Sequence, residues 1–250
     1  MKFSFDQRIA RAEKLSREFP AAREILEFYG KLANFQKCVF EDVAREDVSS
    51  VETLARYAPE FARLIGRIAP PALAESAVRW EDEAVGRDLL RGVWQEPSIA
   101  VDDHARFFAR ALLQPFAEYV AGRAQFEVES MQPICPFCSS APVVAVLRGE
   151  GDGAKRSLLC SLCSTEWPYR RILCPNCGEE DKAKLPIYRA AEFDHVRAES
   201  CDRCRVYLKA VDLTKNGHAV PVVDEIATLP LNIWAEEQGY VKLTPNLVLM

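Results

Sequence analysis

The sequence is poor in the side chains and the long apolar runs that many protein classes require. Among its 250 residues are only three histidines, His104, His195 and His218. No Ser/His/Asp set, P-loop, G-x-G-x-x-G or H-E-x-x-H pattern accompanies them. No apolar run approaches the eighteen or so residues that span a membrane, and the charged start Met1–Arg8 lacks the apolar stretch of a signal peptide. These absences predict a protein with no membrane span and no catalysis of its own.

Positive charge is not in excess either. The chain carries a net charge of −5, with an isoelectric point near 5.4. Across residues 133–210, where most cysteines lie, 12 Lys and Arg stand against 10 Asp and Glu. A nucleic-acid-binding domain ordinarily shows a clearer basic face, and an acidic chain has little affinity for anionic membranes. We therefore predict no nucleic-acid partner, and keep a nucleic-acid-binding zinc ribbon as a further alternative.

Eight of the nine cysteines are concentrated in four C-x-x-C pairs. The pairs are separated by 21, 10 and 23 residues and lie at Cys135/Cys138, Cys160/Cys163, Cys174/Cys177 and Cys201/Cys204. Disulfide bonds would suit a small secreted chain, which this is not, and unrelated buried thiols would not cluster in this way. Paired knuckles supply the tetrahedral sulfur set that zinc and iron prefer. We predict that all eight cysteines ligate metal, and thiols kept reduced for metal predict a cytoplasmic location.

The spacing of the pairs repeats, which predicts two four-cysteine ribbons. The segments Cys135–Cys163 and Cys174–Cys204 each enclose a strand-like run, a turn and a returning strand. A unit of this size buries little surface, so metal ligation must supply much of its folding free energy. The expected cofactors are two metal ions, iron or zinc, one per site. The repeat favours joining the first pair to the second and the third to the fourth, while crossed and nested arrangements remain open.

Helical periodicity dominates the chain before the cysteine pairs. Beyond residue 22 a single apolar stripe with helical spacing contains Ile25, Phe28, Leu32, Phe35 and Val39. Prolines and capping side chains divide this part of the chain into six or seven helices. We interpret the lone Cys38, beside the stripe, as a small packing residue. We interpret His195, in the returning strand of the second ribbon, as a surface or edge residue.

Together these patterns predict an α+β fold, in which an all-α N-terminal domain precedes two tandem small rubredoxin-like or zinc-ribbon metal-binding units. We expect a helical domain at residues 1–132, ribbons at 133–170 and 171–210, and a terminal strand and helix segment at 211–250 that packs back on the ribbons. Serine in place of Cys135 or Cys138 should then unfold the first ribbon and leave the helical domain folded.

Several segments resemble those of one known family. They are Cys160–Trp167, Arg170–Cys177, Glu199–Lys209, Asp224–Thr228 and Ala235–Tyr240, with weaker support from Arg8–Glu13 and Glu24–Tyr29. This pattern extends over essentially the whole chain and is similar to that of the formate dehydrogenase accessory protein family of the FdhE type. Two departures from the family pattern are present. Ser139 follows Cys138 where glycine is commoner, and Asn232–Trp234 replaces an acidic-leucine segment.

The resemblance implies a cytoplasmic, chaperone-like accessory factor for the maturation of respiratory formate dehydrogenase. The implied partner is the catalytic subunit of formate dehydrogenase, bound through the metal ribbons. The family is also associated with rubredoxin-like centres, which implies iron beside zinc. A small iron-tetrathiolate electron-transfer module is the alternative function, because such a site can cycle one electron.

Overall fold

The computed structural model describes residues 3–97, 99–125, 131–151 and 153–248. Its N-terminal part is helical, as predicted. The helices are α1 (Phe5–Glu18), α2 (Arg23–Glu46), α3 (Ala58–Ile68), α4 (Pro71–Ala77), α5 (Glu83–Gln95) and α6 (Asp103–Arg123), with 3-10 turns at Pro20–Ala22, Val51–Tyr57 and Val78–Trp80. Within the described ranges, no helix is long and apolar enough to cross a membrane.

Polar side chains define where two of these helices begin. At α1, the Ser4 hydroxyl accepts from the Gln7 amide, and the Gln7 side chain accepts from the Ser4 amide. At α6, Asp102 accepts from the backbone amide of Ala105. Each cap satisfies backbone N–H groups that have no partner within the helix. Asp102 therefore caps the start of α6.

The apolar stripe of α2 faces the helical core. Phe28, Leu32 and Val39 are buried, whereas Cys38 lies on the outward side of the helix and is exposed. Successive residues of a helix are about 100° apart around its axis. Cys38 is next to the buried Val39 in sequence, but its side chain therefore points in a different direction from the stripe. The prediction that Cys38 is a packing residue is wrong.

The strands in the second half of the chain form a single sheet. Its described strands are β1 (Pro142–Glu150), β2 (Gly153–Cys160), β3 (Glu166–Pro168), β4 (Ile187–Arg189), β5 (Val196–Cys201), β6 (Val206–Asp212) and β7 (Val241–Lys242). The strand order is β3-β2-β1-β6-β5-β4, and β7 also pairs with β6. Strands β1 to β3 belong to the first ribbon and β4 to β6 to the second, and within each ribbon the neighbours are antiparallel.

The two ribbons are joined by one parallel pairing between β1 and β6. Ala145 lies opposite Ala210, and Leu147 lies opposite Asp212. Two tandem units are present, as predicted, but their strands make one continuous sheet. The position of each ribbon is consequently fixed by the other through backbone hydrogen bonds.

The C-terminal segment packs between the helical domain and the sheet. It contains α7 (Pro221–Ala227) and α8 (Leu229–Glu237). Helix α7 contacts α1 and α2 on one side and β1 and β6 on the other. The following tail buries Leu247 in the core, while Leu249 and Met250 lie outside the described residues.

One hydrophobic core extends from the helices into the first ribbon. The same cluster of buried side chains contains Phe61 and Phe108 of the helical domain and Leu158 and Trp167 of the sheet. The helices and the first ribbon therefore bury apolar side chains against each other, and this shared core couples their stabilities. The division of the chain after residues 132, 170 and 210 stays a prediction, and residues 126–130 beside the first boundary lie outside the described ranges.

Candidate metal centres

The eight paired cysteines are gathered into two clusters of four. The first centre contains Cys135, Cys138, Cys160 and Cys163, and the second centre contains Cys174, Cys177, Cys201 and Cys204. Within each centre the four sulfur atoms lie within 4.8 Å of one another. The first pair is thus joined to the second and the third to the fourth, which is the sequential arrangement that the repeat favours.

Each knuckle closes with a residue in the left-handed backbone conformation. This residue directly follows the second cysteine of the pair and is Ser139, Ser164, Gly178 or Arg205, with φ between 53° and 71°. At three of the knuckles its amide donates to the carbonyl of the first cysteine at 2.8–3.0 Å. Glycine adopts this conformation most easily. The serine at position 139 nevertheless adopts it, so this departure from the family pattern preserves the knuckle.

The thiols have the geometry that a tetrahedral metal ion requires. The closest sulfur pairs are 3.4–3.5 Å apart in the first centre and 3.7 Å apart in the second. A tetrahedron with metal–sulfur distances of ~2.3 Å has edges of about 3.8 Å. Four soft sulfur donors suit zinc or iron. The donor sets therefore fit one ion each, and four protein ligands would leave no coordination position open.

The surroundings of both centres favour a thiolate at one member. In the first centre, hydrogen bonds from the Cys135 thiol and from the other two thiols lower the pKa of Cys138. In the second centre, burial opposes ionisation of Cys204. Hydrogen bonds from the Asn176 side chain and the Val206 amide outweigh that effect and lower the pKa of Cys204 to about 7. Thiolate is the form that binds metal.

Helix α6 holds the first centre with three side chains spaced one turn apart. Arg110 and Gln114 both donate to the Ser161 carbonyl, at 3.1 and 2.9 Å. One turn further on, Glu118 accepts a 2.8 Å hydrogen bond from the Ser164 hydroxyl. Ser161 and Ser164 belong to the knuckle of Cys160 and Cys163, so the helical domain fixes half of the ligand set.

Arg110 also places a positive charge beside the first centre. Its guanidinium is buried and donates to the carbonyls of Ser161 and Pro245, and no carboxylate of the described residues pairs with it. Burial lowers the pKa of Arg110 to about 10, while the nearby Cys160 and Cys138 side chains act to raise it. A buried cation without an anion is strongly destabilising. With a metal ion bound, the four cysteines of the first centre would be thiolates, and their negative charge would offset that of Arg110.

Removing the charge of Arg110 should weaken metal binding at the first centre. We expect Arg110→Met to lower the metal affinity of that centre about 10- to 100-fold, the usual effect of losing an outer partner of metal ligands. In a competition assay with a colorimetric chelator, one of the two metal equivalents should be lost to the chelator more readily from this variant than from the wild type. Arg106→Met, which removes a partly buried arginine one turn earlier on α6, is the matched control. Equal release from both variants would contradict this role.

Among the histidines, His195 has a partner that sequence reasoning missed. Its Nε2 lies 2.7 Å from Oδ1 of Asp224, and its side chain is only 15% exposed. Asp224 is itself buried and also pairs with Arg11 and accepts from the Val220 amide. The interpretation of His195 as a surface or edge residue is wrong. The network ties α1, α7 and the start of β5 together, which indicates a structural role.

The fold and the two centres define a class of protein. It is a helical domain built onto a sheet that joins two ribbons, each with a closed four-cysteine site. Two family models match the second half of the chain, the FdhE central domain over residues 134–171 and the FdhE C-terminal domain over residues 172–249. The chain belongs to the FdhE family.

Individual relatives agree with this assignment. A protein FdhE homolog from Aquifex aeolicus is 39% identical over 150 residues, which is 59% of this chain and 53% of the relative. Protein FdhE of Escherichia coli O127:H6 is 32% identical over 195 residues, 74% of this chain and 62% of the relative. The matches thus span little more than half the length of these curated relatives. The crystal structure of the FdhE protein from Pseudomonas aeruginosa superimposes with a TM-score of 0.71 at 25% identity, covering 100% of this chain and 98% of that one.

Proposed function

We propose that this protein is a cytoplasmic accessory factor for the assembly of formate dehydrogenase. It acts by binding the catalytic subunit of that enzyme through the metal ribbons, and it catalyses no reaction itself. The observation that carries this proposal is the pair of closed four-cysteine centres in a chain of the FdhE family. A centre with four cysteine ligands leaves no position for a reactive water. In this proposal each centre therefore stabilises the shape of its ribbon and takes no part in a reaction.

Each centre holds one metal ion, iron or zinc, in this proposal. The ligands are the four sulfurs of the first centre, Cys135, Cys138, Cys160 and Cys163, and the four of the second, Cys174, Cys177, Cys201 and Cys204. The metals fix the ends of the short ribbon strands, and the joined sheet then makes one rigid surface from both ribbons. Rigid surfaces bind a partner at a lower entropic cost than flexible ones. This supports a platform for another protein.

Binding of the catalytic subunit tests the function directly. The tagged, metal-loaded protein should capture the catalytic subunit of formate dehydrogenase from the same organism, and deletion of its gene should abolish formate dehydrogenase activity. Complementation with the wild-type gene should restore that activity, and the Cys174→Ser/Cys204→Ser variant should not. Capture of no catalytic subunit together with unchanged activity in the deletion strain would refute the proposal.

One observation favours electron transfer as a second candidate function. Cys177 and Cys204 of the second centre are only partly buried, whereas three of the four thiols of the first centre are fully buried. A partly exposed iron tetrathiolate can exchange electrons with a partner at short distance. Iron in such a site absorbs visible light and bleaches on reduction, while zinc is colourless. A colourless protein with full assembly activity would exclude this candidate.

A further inference from the structure

A groove of about 640 Å³ lies at the junction of the two ribbons, next to the second centre. Ile172 and Leu173, from the connection between the ribbons, form part of its wall, and Leu185, Pro186 and Ile187 form another part. Ile172 and Ile187 are 43% and 51% exposed. Volumes of this size are typical of binding sites, and exposed apolar side chains at such a site indicate contact with another molecule.

The floor of this groove carries more positive than negative charge. Arg156 of the first ribbon and Arg197 of the second both pair with Glu199, at 2.8 and 2.6 Å. The two arginine side chains are only 2% and 7% exposed. Arg197 donates to Glu199 through Nε and Nη2, and its Nη1 has no hydrogen-bond partner among the described residues. Two buried guanidinium groups therefore share one carboxylate, and a donor is left for an additional anion.

The rim of the groove adds two further cations. Arg171 and Lys182 line it, both are exposed, and neither forms an ion pair with a carboxylate of the described part of the chain. Two nearby exposed cations do form such pairs. Arg170 binds Glu180 at 2.8 Å, and Lys184 lies 3.8 Å from Glu179. Both cations at the rim therefore lack a carboxylate partner among the described residues, and they extend the positive charge of the groove floor to the surface.

We propose that this groove binds an extended segment of the partner protein in which apolar and acidic residues are mixed. The inference rests on the proposed function, because the partner is the catalytic subunit of formate dehydrogenase. Apolar side chains of the segment fit the isoleucine and proline walls. A carboxylate of the segment can accept a charge-assisted hydrogen bond from Nη1 of Arg197, and hydrogen bonds to ionised groups are the stronger kind.

The apolar walls and the charge of the whole protein favour a peptide over a nucleic acid. A phosphate backbone would bring its charges against Ile172, Ile187 and Pro186, and the net charge of −5 would repel a long polyanion. A short acidic peptide meets only the local positive charge. Cys174 and Cys201 of the second centre also line the groove, so the segment lies against the part of the sheet that this centre holds.

Reversing the charge of the rim tests the groove in the full-length, metal-loaded protein. The probe is the purified catalytic subunit, and its affinity is measured by biolayer interferometry. We expect Arg171→Glu/Lys182→Glu to weaken binding at least about tenfold, since like charges would then face each other. The control is Lys31→Glu/Arg63→Glu, an equal charge change at exposed positions of the helical domain, which should alter binding less than twofold.

A photo-crosslinker identifies the bound segment independently of affinity. Benzoylphenylalanine in place of Ile187 should capture a peptide of the catalytic subunit that contains both acidic and apolar residues. Equal binding by the rim variant and the control would refute the proposal that the groove binds the partner, and so would capture of a basic segment. Either result leaves the proposed function standing. A wild-type protein that does not bind the catalytic subunit overturns both.

Discussion

Serine in place of Cys135 is expected to release metal from the first centre and to destabilise the helical domain together with the ribbons. Cys135 is 1% exposed, and its cluster of buried side chains also contains Phe107 and Phe108 of α6. Loss of a ligand frees the first knuckle and exposes this shared core. We expect the free energy of unfolding to fall by more than about 4 kcal/mol, as is typical of losing a structural metal.

Thermal unfolding followed by helical circular dichroism measures this effect. Cys38→Ser is the matched control, because Cys38 is exposed and belongs to neither centre; its midpoint should equal that of the wild type. The sequence alone predicted that the helical domain would survive loss of the first ribbon. The shared core and the hydrogen bonds from Arg110 and Gln114 to Ser161 change this expectation. A Cys135→Ser protein with an unchanged helical transition would show that the parts are independent.

Glutamine in place of Glu225, which belongs to neither centre, should be nearly as destabilising. Glu225 is fully buried on α7 and pairs with Lys209, at 2.9 Å, and with Lys242. It also accepts a 2.7 Å hydrogen bond from Asn246. Removing its charge would leave Lys209 buried without an anion, which typically costs about 3–5 kcal/mol. Chemical denaturation at pH 7 measures the loss, and Glu237→Gln, at an exposed position of the next helix, is the control.

The same carboxylate predicts how stability depends on pH. Burial alone would raise the pKa of Glu225, but Lys209 and Lys242 outweigh it and lower the pKa to about 2. A group whose pKa is lower in the folded state stabilises the fold fully above its unfolded pKa. That stabilisation is lost as the pH falls from about 4.3 toward 2. The difference between wild type and Glu225→Gln should therefore shrink as the pH falls below about 4.3. A difference that persists at pH 2.5 would contradict this origin.

The candidate centres could be predicted from the sequence because their chemistry is local. A C-x-x-C pair closes within one knuckle, so Cys135 and Cys138 predict that knuckle whatever sequence follows them. The similar spacing of the two units also favours the sequential grouping of Cys160 with Cys135 and of Cys201 with Cys174. Strands that run between knuckles have little freedom in length or direction, which is why the ribbons themselves were predictable.

Charges buried by long-range contacts were not predictable in this way. Arg110 lies in a helix and Lys209 in a strand, and nothing near either residue in sequence distinguishes it from a solvated surface charge. Their partners are 51 residues away at Ser161 and 16 residues away at Glu225. His195 was placed on the surface for the same reason, since Asp224 is 29 residues further along the chain.

The joining of the ribbons into one sheet is likewise a tertiary property. The runs that became β1 and β6 are mostly apolar, and such strands are typical of a sheet interior. Nothing in their composition shows that Ala145 would pair in parallel with Ala210. A parallel pairing requires a connection that returns over the sheet, and here the connection contains most of the second ribbon. The groove at the junction, formed by both ribbons, could therefore be found only in the structure.

The metal content of the purified protein tests the account most directly. Elemental mass spectrometry on protein purified without chelators, combined with a thiol count under denaturing conditions, gives metal and free cysteine per chain. Two closed centres predict two equivalents of zinc or iron and nine free thiols after the metal is removed. The Cys135→Ser variant should retain one equivalent, in the second centre. A metal-free wild-type protein whose paired cysteines are joined as disulfides would contradict the account.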